Sequence, residues 1–211
     1  MNITADHWLE GVHRQPLSGG SEMNVRRFLV IHNTSGWSAQ SSIDFWNTPD
    51  ANGASAHIII DRDGTVFQIW PFNRTCGHAG VSKWKDPNTG VLFNGLNSCS
   101  IGIELANAAD MSRTPDVYPS TMGELAGKPV PRIVARHKNG GPLVGWETYT
   151  PEQIKACEIV AKALVARYNL DDILGHDDCA ASRKVDPGPA FPMSDFRKTC
   201  GFTKPLAPAM G

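Results

Sequence analysis

The chain has 211 residues, of which 41% are hydrophobic and 19% charged, with a formal net charge of -1. This composition is typical of one soluble globular domain, and the near-neutral charge argues against a nucleic-acid-binding protein, which usually carries a basic face. No apolar run approaches the roughly 18 residues of a membrane span, which excludes an integral membrane protein of the helical class.

The first 14 residues lack the apolar stretch of a signal peptide. We therefore expect a protein that is cytoplasmic before any release, with no stable membrane association, and a monomer. The five cysteines are odd in number and form no Cys-x-x-Cys pair. We expect them to be reduced side chains in or near the core.

The first half of the chain predicts short strands and one short helix. Residues 26–32 form a branched apolar run that ends in polar residues, which indicates a buried strand opening into a loop. Residues 38–46 predict the helix, because a Thr-Pro pair follows them. Residues 55–61 and 65–70 predict two strands of a hairpin, joined at Arg62-Asp63-Gly64.

The second half predicts one further strand and a long helix. Residues 99–106 form another apolar run, with Glu104 standing at a core position. A capping box and a proline at the first helical position predict a helix from Thr150 to about Asn169. A short apolar pair then precedes His176. The Pro- and Gly-rich stretch 107–149 shows little periodicity, so we expect a long loop there.

Together these elements predict an α/β (mixed α+β) fold, with a central mixed sheet flanked by helices. We expect a single domain over residues 1–204, with a core at about 26–198, a loop insertion at about 108–148 and a flexible tail at 205–211. The polar strand ends His32, Glu104 and His176 are predicted to meet at one edge of the sheet.

The run from Gly175 to Phe191 carries the densest chemistry. It places His176, Arg183, Lys184 and Asp186 within eleven residues and then stiffens the backbone with Pro-Gly-Pro. Such stiffness favours a site whose groups must be held within about 0.5 Å of a required geometry.

Two imidazoles and one carboxylate, from His32, His176 and Asp186, match the three protein ligands of a catalytic zinc site. Each histidine could instead be a hydrogen-bonded structural residue. Glu104 could take the proton of an attacking water, or form a salt bridge. Lys184 could stabilise a developing oxyanion, or be a solvated loop lysine.

The chain resembles the zinc-dependent N-acetylmuramoyl-L-alanine amidases, a family that includes phage amidase endolysins, cytosolic anhydromuropeptide amidases and peptidoglycan-recognition proteins. The resemblance spans about residues 26–198 and rests on five segments in order. These are Val-Ile-His-Asn-Thr (30–34), Ser-Ala-His-Ile-Ile-Ile-Asp-Arg-Asp-Gly (55–64), His-Ala-Gly-Val-Ser (78–82), Ser-Ile-Gly-Ile-Glu-Leu (100–105), and Gly-His-Asp-Asp (175–178) with Arg-Lys-Val-Asp-Pro-Gly-Pro-Ala-Phe (183–191).

The resemblance implies roles for individual residues. His32, His176 and Asp186 would bind Zn²⁺, Glu104 would be the catalytic carboxylate and Lys184 the transition-state lysine. The residues implied to contact the muropeptide are Asn33, His78, Ala79 and Arg183. His57 matches a family histidine whose role would be packing or support of the site.

Two departures from the family pattern bear on function. Some relatives use cysteine as the third ligand, where this chain has Asp186; Cys179 is a rival ligand without a family precedent. The arginine that the cytosolic enzymes use for the diamino acid of the stem peptide is missing from residues 93–97.

These features predict a zinc amidohydrolase that cleaves the amide between the lactyl group of N-acetylmuramic acid and L-alanine in peptidoglycan. The missing arginine and the insertion favour a phage-type endolysin, a lytic and antimicrobial enzyme acting on the cell wall. The alternatives are a cytosolic recycling amidase for anhydromuropeptides, a non-catalytic peptidoglycan-binding module, and a general zinc peptidase. The last is disfavoured because no His-Glu-x-x-His motif is present. Within the insertion, Tyr118, Arg132, Arg136 and Trp146 are the first candidates for a groove wall, with a plain surface loop as the alternative.

Overall fold

A six-stranded mixed sheet organises the protein, which is described over residues 1–206 of a computed structural model. Most of the predicted tail, residues 207–211, lies outside the described residues. The strands of this sheet are β1 (His13–Arg14), β2 (Phe28–Asn33), β3 (Ile58–Ile60), β4 (Val66–Gln68), β7 (Ser100–Leu105) and β10 (Asp172–Gly175). Two separate hairpins consist of β5 (Lys83–Lys85) with β6 (Leu92–Asn94), and β8 (Arg132–Arg136) with β9 (Leu143–Glu147).

The strand order is β1-β4-β3-β7-β2-β10. Only the β3–β4 pair is antiparallel, and the other four pairs are parallel. The carboxyl ends of β3, β7, β2 and β10 therefore meet at one edge of the sheet. This confirms the predicted mixed sheet and the convergence of its polar strand ends.

Four helices accompany the sheet: α1 (Ala39–Trp46), α2 (Pro151–Tyr168), α3 (His176–Cys179) and α4 (Met193–Thr199). The Thr150 hydroxyl accepts a hydrogen bond from the Gln153 backbone amide, and the Thr150 backbone amide donates one to Gln153 Oε1, which completes the predicted capping box. Asn169 ends α2 in the left-handed conformation. Among the helices of residues 1–206, none combines the length and the apolar character that crossing a membrane requires.

The two faces of the sheet pack different layers. Odd-numbered β2 residues such as Leu29 and Ile31 join Val160 and Leu164 of α2 in the main core. Even-numbered residues, with Phe28 as an example, pack on the other face against the loops that follow β4. Because strand side chains alternate, His32 belongs to this second face, so the loops rather than α2 cover the site.

The prediction of an unstructured 107–149 segment was wrong in part. Residues 132–136 and 143–147 form the antiparallel hairpin β8–β9. Its strands are largely exposed, with Val134 66% and Leu143 62% accessible. Exposed strands need no regular alternation of apolar and polar residues. The periodicity from which a buried strand is predicted is therefore missing from these two segments.

Candidate metal centre and active site

One row of residues across the sheet builds the site. In the strand register, Ile59 lies beside Glu104, and Glu104 lies beside His32. On the other side of β2, Ile31 pairs with Gly175, so His176 follows in the next position of the row. Glu104, His32 and His176 thus stand side by side at the carboxyl ends of three parallel strands.

Asp186 completes a compact triangle of ligand atoms. His32 Nδ1 lies 3.0 Å from His176 Nδ1 and 3.1 Å from Asp186 Oδ2, and His176 Nδ1 lies 3.0 Å from the same oxygen. These three residues are buried, and they form one of two groups within residues 1–206 whose ligand atoms have metal-ligand spacing.

Partners on the far side of each imidazole fix its tautomer. His176 Nε2 lies 3.1 Å from the carbonyl oxygen of Ala79, which can only accept, so the proton is on Nε2. His78 Nε2 lies 3.2 Å from the carbonyl of Ser100, which leaves His78 Nδ1 as an acceptor. His32 Nε2, 3.0 Å from His78 Nδ1, must then be the donor of that hydrogen bond.

Both ligand histidines consequently turn an unprotonated Nδ1 toward the Asp186 carboxylate. Burial, with the neighbouring His176 ring as a second cause, lowers the pKa of His32 to about 4, which keeps this ring neutral. Three acceptors about 3 Å apart repel one another, so the arrangement calls for a cation.

Zinc fits this donor set. Tetrahedral coordination with bonds of 2.0–2.1 Å places neighbouring ligand atoms about 3.3 Å apart, close to the observed spacing. Two neutral imidazoles and a carboxylate are a recognised catalytic zinc set, which leaves a coordination position for a reacting group. The outer hydrogen bonds of both histidines are those that orient metal ligands.

Glu104 borders the metal centre with an unpaired oxygen. Its Oε2 atom is buried and has no hydrogen-bond partner within residues 1–206. Burial raises the pKa of Glu104 well above its usual range, and the Asp186 charge adds to this effect, while Lys184 opposes it. A carboxyl group with a raised pKa is suited to receiving and returning a proton near neutral pH.

Lys184 lies on the segment between His176 and Asp186. Its charge lowers the pKa of both Glu104 and His32, which places the ammonium within electrostatic reach of the site. Its backbone amide donates to the Ala180 carbonyl at 2.9 Å. The residue is only partly buried, so it can meet a ligand that approaches from solvent.

The four residues predicted to contact substrate occupy different places. Arg183 is exposed and donates from Nη2 to the carbonyls of Ala79 and Val81, at 2.9 and 2.8 Å. Ala79 is fully buried, and its carbonyl also accepts from His176. Asn33 is buried, with its amide 3.3 Å from both Tyr149 Oη and the Pro187 carbonyl. Of these three, Arg183 has the side chain most open to a substrate.

His78, the fourth, is buried behind His32 rather than exposed in the cleft. A Cβ atom on Gly102 would lie 2.6 Å from His78 Cγ, so the ring rests directly on strand β7. This placement favours an orienting role for His78. The signal in the sequence was Gly102 itself, because a glycine inside a strand often marks a close approach by another group.

His57, Cys76 and His78 form the second group with metal-ligand spacing. His57 Nδ1 already accepts from the Gly102 amide at 3.0 Å, and Nε2 lies 2.8 Å from the Arg74 carbonyl. Both nitrogens of His78 are engaged as well. Because these ring nitrogens are occupied by backbone groups and by His32, the group does not fit a metal ion and instead supports the adjoining centre.

Cys179 does not compete with Asp186 for the ligand position. Its Sγ atom lies 3.6 Å from the His176 carbonyl oxygen, on the backbone side of that ligand. Burial raises the pKa of this thiol to about 12, which disfavours the thiolate that binds metal.

Comparisons with known proteins find relatives over most of the chain. The family model described as N-acetylmuramoyl-L-alanine amidase matches residues 22–189. The 1,6-anhydro-N-acetylmuramyl-L-alanine amidase AmpD of Enterobacter cloacae is 33% identical over 144 residues, 67% of this chain and 54% of that protein. The match therefore spans about half the length of the curated relatives.

Two solved structures share the fold. A selenomethionine derivative of AmpD superposes with a TM-score of 0.65 at 24% identity, covering 94% of this chain and 99% of the other. AmpDh3 from Pseudomonas aeruginosa, in complex with an anhydromuramic pentapeptide, gives a TM-score of 0.58 at 25% identity. That alignment covers 91% of this chain and 65% of AmpDh3.

Proposed function

The chain belongs to the N-acetylmuramoyl-L-alanine amidase family, and on that premise we propose that it is a zinc-dependent amidase of peptidoglycan fragments. The bond cleaved is the amide between the lactyl group of N-acetylmuramic acid and L-alanine. The observation that carries this proposal is the triangle of His32, His176 and Asp186 acceptors beside the unpaired oxygen of Glu104.

Soluble anhydromuropeptides are the substrate class that we propose. The curated relatives that match over two thirds of this chain are named as 1,6-anhydro-N-acetylmuramyl-L-alanine amidases. AmpDh3, which shares the fold, was solved with an anhydromuramic pentapeptide. These relatives favour the recycling alternative and give no support to the endolysin interpretation that the missing arginine and the insertion suggested.

His32, His176 and Asp186 would hold the zinc ion, which when bound would supply Lewis acidity toward the scissile carbonyl oxygen and toward water. The proton transfers are carried out by a residue of the chain. Glu104 accepts a proton as water adds to the carbonyl carbon, and it donates that proton to the alanine nitrogen as the carbon–nitrogen bond breaks. The products are the lactyl carboxylic acid and the free amine of the peptide, which together account for one water consumed.

Lys184 stabilises the negative charge that develops on the carbonyl oxygen. Its charge acts on the pKa values of Glu104 and His32, and the residue is only partly buried. A fixed cation beside a developing oxyanion is worth on the order of 3 kcal/mol. Arg183, exposed on the same segment, is the residue that we assign to contact with the peptide portion of the muropeptide, since its Nη1 and Nε atoms are not used in its bonds to Ala79 and Val81.

A paired assay tests the proposal. The purified protein is incubated with soluble anhydromuramoyl peptides and, separately, with intact sacculi, and the release of free alanine amine is measured. We expect faster release from the soluble substrate. Faster release from sacculi would restore the endolysin interpretation, and no release from either substrate, with zinc bound, would reduce the protein to a binding module.

A further inference from the structure

The hairpin β8–β9 makes several polar contacts with the metal-ligand segment. His137, at the end of β8, is buried and places Nε2 2.9 Å from Asp177 Oδ2. Lys138 Nζ lies 2.8 Å from Asp177 Oδ1 and 2.6 Å from Asp178 Oδ1. Asn139 donates from Nδ2 to the Asp177 carbonyl at 2.7 Å. Three consecutive residues of the hairpin thus bind one residue of α3.

Asp177 connects two of the three metal ligands. It directly follows His176 in the chain, and its backbone amide donates to the Asp186 carbonyl at 2.8 Å. A displacement of Asp177 therefore moves the His176 backbone and removes a hydrogen bond from the Asp186 backbone.

A second contact from the hairpin reaches the other side of Asp186. A Cβ atom on Gly188 would lie 2.8 Å from Cε3 and Cζ3 of Trp146, so the indole rests directly on the backbone two residues after the ligand. Trp146 is buried and is fixed by a hydrogen bond from Nε1 to the Ala135 carbonyl at 3.1 Å. The His137 and Trp146 rings lie 5.8 Å apart, which joins the two contacts into one surface.

We propose that the β8–β9 hairpin is a clamp that holds His176 and Asp186 in the geometry that binds zinc. His137, Asn139 and Trp146 are its positioning residues, and none of them touches a ligand atom. The inference deepens the proposed function and rests on it. Trp146 is buried against the ligand loop instead of forming a groove wall, and Arg132 and Arg136 contact Asp116 and the Gly141 carbonyl within the insertion.

The test compares zinc affinities of the full chain by competition with a chelator. The double variant His137→Ala/Asn139→Ala removes two bonds to Asp177 and should weaken zinc binding about 10- to 100-fold, as loss of groups that orient metal ligands does elsewhere. The control is Val134→Ala/Leu143→Ala, which alters exposed side chains of the same hairpin and should leave the affinity unchanged. His137→Gln keeps an N–H donor near the position of Nε2 and should recover most of the affinity in an otherwise wild-type chain.

Near-ultraviolet circular dichroism of the zinc-free proteins shows which variants retain the fold. If the double variant does not fold, zinc affinity is measured on the single variant Asn139→Ala, which is the mildest change. Affinity within twofold of wild type in the folded variant contradicts the clamp, and so does an equal loss in the control pair. Wild-type protein that binds no zinc contradicts the proposed function and the clamp together, whereas a zinc-binding wild type with an unaffected variant contradicts the clamp alone.

Discussion

At the residue scale, Glu104 is the group whose environment most directly indicates chemistry. A carboxyl oxygen buried without a partner costs free energy, and the Asp186 charge nearby adds to that cost. Glu104→Gln keeps the shape and removes the proton acceptor. We expect turnover to fall about 10²- to 10⁴-fold while zinc stays bound, because Glu104 is not a ligand. Steady-state rates and elemental analysis of the same preparation check this, and undiminished turnover would remove Glu104 from the proton transfer.

Substitution of Lys184 distinguishes stabilisation of the transition state from binding of the substrate. Lys184→Ala should lower kcat by about 10²- to 10³-fold with a small change in KM, since the ammonium acts on charge that develops during the reaction. Initial rates over a range of substrate concentrations give both constants. A rise in KM with an unchanged kcat would show that Lys184 binds the ground state instead.

Substitutions of His78 test whether this side chain orients the ligand His32. His78→Phe fills the same space on Gly102 but cannot accept the His32 Nε2 proton, so zinc affinity should fall about 10- to 100-fold. His78→Asn retains an acceptor near the position of Nδ1 and should lose less. Equal affinities in both variants and in wild type would instead support the contact with substrate that the sequence motif implied.

At the element scale, strand β7 has no space for a side chain at Gly102. Gly102→Ala would push a methyl group into the His78 ring, at a cost of about 1–3 kcal/mol. The matched control is Gly145→Ala in β9, where the nearest atoms belong to the flexible side chain of Arg132. Urea unfolding of both variants should show a loss for Gly102→Ala only, and equal stabilities would mean that β7 and His78 adjust at no cost.

The elements that the sequence predicted are those with strong local signals. Branched apolar runs marked β2 and β7, and the capping box at Thr150 marked the start of α2. The β8–β9 hairpin carried no such signal, because its strands are exposed and its specific contacts are with α3. Helix α3 spans four residues, and its position depends on Asp178 and on the hairpin rather than on helical propensity.

At the scale of the whole molecule, buried histidines make the zinc-free fold sensitive to acid. Burial lowers the pKa of His57 from 6.5 to about 4, so the folded state favours its neutral form. The resulting stability is complete above pH 6.5 and is lost as the pH falls toward 4. The pKa difference corresponds to about 3 kcal/mol.

A comparison with His57→Gln isolates this contribution, because His32 and His78 are also buried and shift in the same direction. Between pH 7.5 and 4, zinc-free wild type should lose about 3 kcal/mol more unfolding free energy than the variant. Urea unfolding at several pH values measures both. Parallel pH profiles would show that His57 is already protonated in the fold or is solvated.

The sequence identified the metal-binding and reacting residues of the site more fully than the contacts that orient them. His32, His176 and Asp186 could be proposed as a set because their residue types and the stiff segment around Asp186 suit a metal. The tautomers of the histidines could not be inferred, because they depend on the Ala79 and Ser100 carbonyls, which only the folded chain brings near the rings.

The central claim is that three acceptors gathered from two distant parts of the chain hold one zinc ion. Calorimetric titration of zinc into the metal-free protein tests it most directly, with Asp186→Asn as the matched variant that keeps the shape and removes the charge. We expect one tight site in wild type and a large loss of affinity in the variant. Wild-type protein that takes up no zinc, or a variant that binds it equally well, would contradict the account.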